Sequence, residues 1–239
     1  MKPKLTNILN LNPQATLATR GFFANYPVEQ FYIKNKSALI FGTSDHLWAH
    51  LVGTSEADIA FLLSKHHAKT PYYYSVEEWM IPLIQKHGEI DWKMSTKRYI
   101  LNDKLLKNTS RSELIPIDES YAAYIYQHSD YKDFTSIEYI EDRLARDISA
   151  GIIVDNKLVA WGFAHDDGAL GFLHVLPEHR KKGYGMDIVR SLIRMRQDEN
   201  KSVFCNIVPE NTASIYLVNK LNFVFDRLVY WVKMKEGDE

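Results

Sequence analysis

The chain has 239 residues, enough for one large domain or two small ones with a substantial core in either case. Its 46% hydrophobic and 25% charged residues are ordinary for a globular protein, and a formal net charge of −1 argues against the basic face that nucleic-acid binding needs. The lone cysteine, Cys205, excludes an internal disulfide, and no apolar run approaches the roughly 18 residues of a membrane span.

The opening Met1-Lys2-Pro3-Lys4-Leu5 lacks the apolar stretch of a secretory signal, so the expected location is cytoplasmic. Phe31-Tyr32-Ile33, Ala38–Phe41 and Leu47–Val52 read as three strands, separated by turns at Asn35-Lys36 and Gly42–Asp45. Glu56–His66 has helical spacing, with Ile59, Leu62 and Leu63 on one side. Tyr72–Tyr74 reads as a strand, Glu77–His87 as a helix and Trp92–Leu101 as a strand.

Glu113–Ile117 reads as a short strand, followed by a helix over Tyr121–His128 capped by Asp118 or Ser120. Thr135 or Ser136 caps a second helix, on which Ile137, Ile140, Leu144 and Ile148 form an apolar stripe. Gly151–Val154 and Leu158–Ala164 are strands joined by the turn Asp155-Asn156-Lys157, and Ala169–Val175 is a third. His165, Asp166 and Asp167 fall in the intervening turn, where a solvated loop is expected. A helix over 186–197 sets Ile188, Leu192, Ile193 and Met195 against Arg190, Arg194 and Arg196. Val203–Val208 is a buried-looking strand that places Cys205 in the core, Ala213–Leu221 is a helix, and Val224–Lys235 holds one or two closing strands. Strands and helices in this order predict an α/β (α+β) fold with a mixed, mostly antiparallel central sheet flanked by helices. The first half echoes the second, which suggests two domains, 1–110 and 111–239.

The stretch Leu173-His174-Val175-Leu176-Pro177-Glu178-His179-Arg180-Lys181-Lys182-Gly183-Tyr184-Gly185-Met186 carries the chemistry. A strand ends at a proline, basic residues follow, and two glycines open a helix. The free N–H groups and dipole of a helix start favour anions, and glycine lets backbone approach a ligand closely. No Gly-Lys-Ser/Thr follows, so this is not a P-loop, and no third glycine completes a dinucleotide fingerprint. Arg180-x-x-Gly183-x-Gly185 after such a strand, with Asn211-Thr212-Ala213-Ser214 and Leu221-Asn222-Phe223 later, resembles the GCN5-related N-acetyltransferases, the GNAT superfamily. Val154-Asp155, Trp161-Gly162, Leu176-Pro177-Glu178-His179-Arg180 and Cys205–Val208 with Glu210-Asn211 are similar to its glycine N-acyltransferase-like branch.

The resemblance implies a GNAT fold over about 111–239 and a degenerate copy of it in the first half. It implies acetyl-CoA, or another acyl-CoA, as co-substrate and a small amine as acceptor, with no nucleic-acid, membrane or metal partner. Leu173, His174 and Val175 would offer backbone to the pantetheine arm, with the Leu173 N–H polarising the thioester. Arg180, Lys181, Lys182, Gly183, Tyr184, Gly185 and Met186 would hold the pyrophosphate. Asn211 would bond the pantetheine arm, cap the following helix, or both.

The superfamily's usual base glutamate and acid tyrosine fall at Ala169 and Val218, which cannot titrate. His174 is the nearest titratable group, but strand alternation puts 169, 171, 173 and 175 on one face and His174 on the other unless a bulge intervenes. It is either the catalytic base or a structural histidine. Tyr216 sits about 200° round the helix from Val218 and should face elsewhere. Trp161 is a candidate lining residue of an acceptor pocket or a core residue. Three functions remain: an acyl-CoA-dependent N-acyltransferase, a non-catalytic acyl-CoA-binding regulatory protein, and a different anion-binding module that uses the same loop for another nucleotide or phosphate.

Overall fold

The computed structural model describes residues 2–102 and 112–236, and the expected boundary between 110 and 111 lies outside them. The chain forms two compact units, Met1–Arg98 with Ile207–Asn211 and Asp226–Glu239, and Tyr99–Asn206 with Thr212–Phe225.

The first unit begins with α1 (Pro3–Leu9) and α2 (Leu17–Asn25), then β1 (Gln30–Lys34), β2 (Ser37–Thr43) and β3 (Leu47–Val52). It continues with α3 (Glu56–His66), β4 (Tyr72–Val76), α4 (Ile81–Gln85) and β5 (Ile90–Leu101). The strands lie in the order β1-β2-β3-β4-β10-β5, where β10 is Val224–Met234. Only β3 and β4 pair in parallel among the registers resolved here. The reason β2 is apolar throughout is visible in its two faces. Leu39 and Phe41 pack towards α3, whereas Ala38 and Ile40 pack against Leu5, Ile8 and Leu9 of α1. Helices α1 and α2 were not expected from sequence. The Glu77–His87 helix is shorter than expected, a 3₁₀ turn leading into a five-residue helix with Pro82 in its first turn.

The second unit contains α5 (Ala122–Gln127), α6 (Ile137–Arg146), β6 (Ser149–Val154), β7 (Lys157–Ala164) and β8 (Leu170–Val175). It continues with α7 (Tyr184–Asp198), β9 (Val203–Ile207) and α8 (Thr212–Lys220). Strands β6, β7 and β8 form an antiparallel sheet in that order. The Asp155-Asn156 turn has both residues at positive φ, 50° and 60°, as a tight hairpin requires. Asp118 and Ser136 cap the helical turns that follow them, accepting from Ser120 and Tyr139 N–H groups at 2.9 and 3.1 Å. The expected strand at 113–117 reduces to a bridge between Ile115 and Gly151, because Pro116 has no N–H to extend the ladder. The mixed, mostly antiparallel sheets flanked by helices match the fold expected from sequence. No described helix is long and apolar enough to cross a membrane.

Two expectations for the second unit are overturned. Arg196 belongs to the buried side of α7, not its polar face, and Asp166 and Asp167 are buried, not solvated. Both follow from one network. Asp147, at the end of α6, binds Arg143 at 3.1 Å and Arg196 at 2.9 Å, and both guanidinium groups are fully buried. Arg196 also donates to the Gly168 carbonyl at 3.1 Å, and Arg143 to the Ala164 carbonyl at 3.3 Å. The turn between β7 and β8 is thus tied inward, where Asp167 accepts the Ala169 N–H at 2.8 Å.

Removing one member of a buried ion network leaves the others uncompensated. Asp147→Ala is expected to cost about 3–5 kcal/mol in chemical denaturation of the second unit. In the first unit, His50 is fully buried among Phe22, Phe23 and Tyr74, with neither ring nitrogen hydrogen-bonded. Burial lowers its pKa to about 3. The unfolded chain therefore takes up this proton first as pH falls from about 6.5, and folding loses stability. Between pH 6 and 5 the loss is about 1 kcal/mol, and His50→Leu should flatten that slope in urea titrations at the two pH values.

Candidate active site

Among the described residues, strand β8 is the edge of its sheet, with only β7 beside it. The Leu176 N–H donates to the Val159 carbonyl at 2.9 Å, and Val175 lies opposite Ala160. Antiparallel pairs alternate between bonded and non-bonded, so Val175 turns its N–H and C=O to the open side. The Arg180 guanidinium takes up that carbonyl at 3.1 Å. Counting back, His174 turns its backbone towards Trp161, and Leu173 again faces outward.

The register then breaks. Trp161 pairs with His174 but Phe163 pairs with Gly171, so Phe172 and Leu173 together face Gly162. Phe172 has φ of 50°, an uncommon conformation for a bulky residue and the mark of a bulge. The bulge corrects the expected alternation. Leu173 and Val175 share the face towards α7, whereas Gly171 moves to the face of His174. A Cβ on Gly171 would lie 2.1 Å from Nε2 of His165, so this position admits only glycine while that ring stays in place. His165 is held neutral beneath it, its pKa lowered to about 4 by burial and by Arg143.

On the Gly171 face the rings of β7 and β8 stack. His174 lies on Trp161 with centroids 4.7 Å apart and planes 19° apart, and Phe172 lies on Phe163 at 4.2 Å and 15°. Trp161 is almost wholly buried, which makes it core beneath His174 and not a lining residue. His174 is half-buried, and its Nε2 is buried with no hydrogen-bond partner among the described residues. Burial holds its imidazole below the usual value, His128 and Arg180 act in the same direction, and Asp130 opposes them. A neutral imidazole is therefore present at pH 7, the form a general base needs.

The loop after β8 leads directly into α7. Gly183 is its N-cap at φ 91°, a left-handed conformation that favours glycine, and has no capping side chain. Arg180, Lys181 and Lys182 are exposed around it. Asp187 N–H donates to the Gly183 carbonyl at 3.1 Å, while the N–H groups of Gly183, Tyr184, Gly185 and Met186 have no backbone acceptor among the described residues. These are the orphan donors of a helix start. The Asp187 carboxylate, the acid of this first turn, is buried and takes the Ser112 hydroxyl at 2.6 Å. A Cβ on Gly185 would make ordinary contact with Val175 at 3.7 Å and Leu173 at 3.9 Å. The helix start therefore sits beside the outward-facing backbone of β8.

The expected residues Leu173, His174, Val175 and Arg180 through Met186 all fall in the second unit. Asn211 falls in the first, immediately before α8, and its N–H donates to Val208 at 3.0 Å. Ala169 and Val218 are buried, whereas Tyr216 is 63% exposed beneath the Lys220 ammonium. Burial raises the Cys205 thiol to about 12, so it is an inert core residue. Sequence reasoning passed over His128, whose ring centroid lies 6.2 Å from that of His174.

Gly183 and Gly185 make a test of this geometry. Gly183→Ala must adopt positive φ and should lose about 1 kcal/mol in thermal denaturation, whereas Gly185→Ala should be neutral or slightly stabilising.

Residues 149–232 match the family model described as FR47-like protein. No curated protein sequence matches the chain significantly. Among solved structures, a Drosophila protein of a structural genomics programme is 18% identical, with a TM-score of 0.73 over 95% of this chain and 89% of its own. A GCN5-related N-acetyltransferase from Kribbella flavida is 12% identical, with a TM-score of 0.60 over 93% and 95%. A tandem GNAT protein from the clavulanic acid biosynthesis pathway is 13% identical, with a TM-score of 0.52 over 94% and 89%. The chain has the fold of the GNAT acetyltransferases.

Proposed function

We propose that this protein is an acyl-CoA-dependent N-acyltransferase that uses acetyl-CoA and acylates a small amine. The carrying observation is the outward-facing backbone of β8 set beside the uncapped, glycine-opened start of α7. An acyl-CoA presents an amide-rich arm and a pyrophosphate on one chain, and these two features match that order of groups. Leu173 and Val175 would hold the arm, and Arg180, Lys181, Lys182 and the N–H groups of Gly183 through Met186 would hold the pyrophosphate. His174 supplies only its side chain in this reading, because its backbone is turned to β7. The motif set Val154-Asp155, Trp161-Gly162 and Cys205–Val208 supports the glycine N-acyltransferase-like branch.

In the transfer, the amine nitrogen bonds to the thioester carbonyl carbon and the carbon–sulfur bond breaks. The Leu173 N–H faces the developing oxyanion, and the neutral His174 imidazole takes the amine proton. No tyrosine stands at Val218, so the thiolate leaves without that acid. A thiol of pKa near that of cysteine, about 8.5, permits this.

One acyl-CoA site in two similar halves follows from a contrast at the helix starts. The first-half counterpart of α7 is α3, which follows β3 directly. There Ser55 caps the helix by accepting the Asp58 N–H at 3.3 Å, and Glu56 and Asp58 occupy the first turn. Asp58 is itself bound by Asn35 at 2.8 Å. These carboxylates repel a phosphate, and the cap takes a donor the phosphate would need. We therefore read the first half as a degenerate copy without a donor site.

Calorimetry with acetyl-CoA tests the assignment. Micromolar binding is expected for the wild-type chain, with at least about tenfold weaker binding in a Gly183→Asp, Gly185→Asp double variant. Absence of wild-type binding would overturn the reading. The absence of titratable groups at Ala169 and Val218 favours a second reading, a non-catalytic acyl-CoA sensor. That reading predicts binding with no release of CoA across a panel of primary amines.

A further inference from the structure

The proposed base does not stand alone. His128 ends α5 and shares the Trp161 indole with His174. Its ring lies 5.9 Å from Trp161 at 79° and 6.2 Å from His174 at 61°, a T-shaped contact with each. His128 Nδ1 lies 2.8 Å from the Tyr124 carbonyl, and a carbonyl only accepts. When neutral, His128 therefore keeps its proton on Nδ1 and its lone pair on Nε2. Tyr124 in turn stands edge-on to Trp161 at 5.9 Å and donates its hydroxyl to the Leu158 carbonyl at 3.1 Å. Both imidazoles are thus fixed in place by one buried indole.

Resting on the acyltransferase reading above, we propose that His128 is a positioning residue for His174, packing beside its imidazole at the Trp161 indole and bearing on the proton that imidazole takes up. In the step it serves, the neutral His174 ring takes the proton that the amine nitrogen sheds as it bonds to the thioester carbon, leaving an amide and an imidazolium. Stacking on the indole face favours that imidazolium. Positive charge on His128 opposes it, as does Arg180. The consequence is a base that stays unprotonated into mildly acidic solution. The other charged groups acting on this cluster are Asp130 after α5, Arg180 after β8, and Glu178, which acts on Tyr124. Burial, His128 and Arg180 lower the His174 value while Asp130 raises it.

The experiment is an NMR titration of the His174 imidazole in the full chain, with His128→Asn and His128→Phe beside the wild type. Asparagine keeps a donor for the Tyr124 carbonyl, and phenylalanine keeps the ring. Both variants remove the His128 imidazole. The expected result is a rise of about half a pH unit in the His174 midpoint in both. CoA release from acetyl-CoA with glycine, benzylamine and spermidine should show the acid limb of kcat/KM moving up by the same amount, with KM for acetyl-CoA unchanged. A His174 midpoint that stays put or falls in both variants overturns the proposal, whatever the turnover. Loss of acetyl-CoA binding in the wild type is a separate outcome and removes the acyltransferase reading itself.

Discussion

One carboxylate organises the second unit. Asp147 is shared by Arg143 from within α6 and Arg196 from α7, and all three side chains are buried. A single buried charge pair tends to be neutral or costly for stability, but its geometry allows few alternatives. Here the two guanidinium groups also reach the carbonyls at Ala164 and Gly168, which bracket the turn into β8. The turn cannot drift without stranding a buried donor. The start of β8, and with it the bulge at Phe172, is therefore set from below by charge and not by apolar packing alone.

From that anchor the site is laid out by backbone direction. The bulge separates the strand into two parities, so that Leu173 and Val175 meet α7 while Gly171 and His174 face the stacked rings. In the proposed reading the ligand-facing groups are mostly main-chain atoms, so Tyr184 can occupy the middle of a glycine loop. Its N–H would serve, leaving its side chain free of that duty. In the other unit, the start of α3 is closed by its own serine and acids.

Much of this was legible in the sequence, and the failures have physical causes. Apolar periodicity located Glu56–His66 to the residue, because Ser55 is a strong cap and the stripe is regular. The loop from Arg180 to Gly185 was recognisable because its conformation demands glycine and its charges are local. Helix α1 carried the signal of Leu5, Ile8 and Leu9 at helical spacing, but it has no side-chain cap and spans only two turns. Helix α2 has a weakly amphipathic pattern interrupted by Gly21. Charge was the chief misreading. Arg196, Asp166 and Asp167 look like solvated residues in one dimension, and only their partners, distant in the chain, reveal burial. The Phe172 bulge has no sequence mark, since phenylalanine gives no hint of positive φ, and so Gly171 was placed on the wrong face.

The open side of β8 also bears on self-association. Unpaired main-chain groups that would accept a ligand's amide arm are equally able to accept a strand from a neighbouring molecule. A straight strand needs an unbroken two-residue period to zip along an edge. The kink at Phe172 interrupts that period partway along β8, and the cationic turn at Arg180–Lys182 follows at its end. An intruding strand would meet only a few residues in register before it struck either the kink or the charge. The irregularity that shapes the candidate site thus doubles as protection against fibrous stacking, and straightening it would be expected to trade a binding cleft for an adhesive edge.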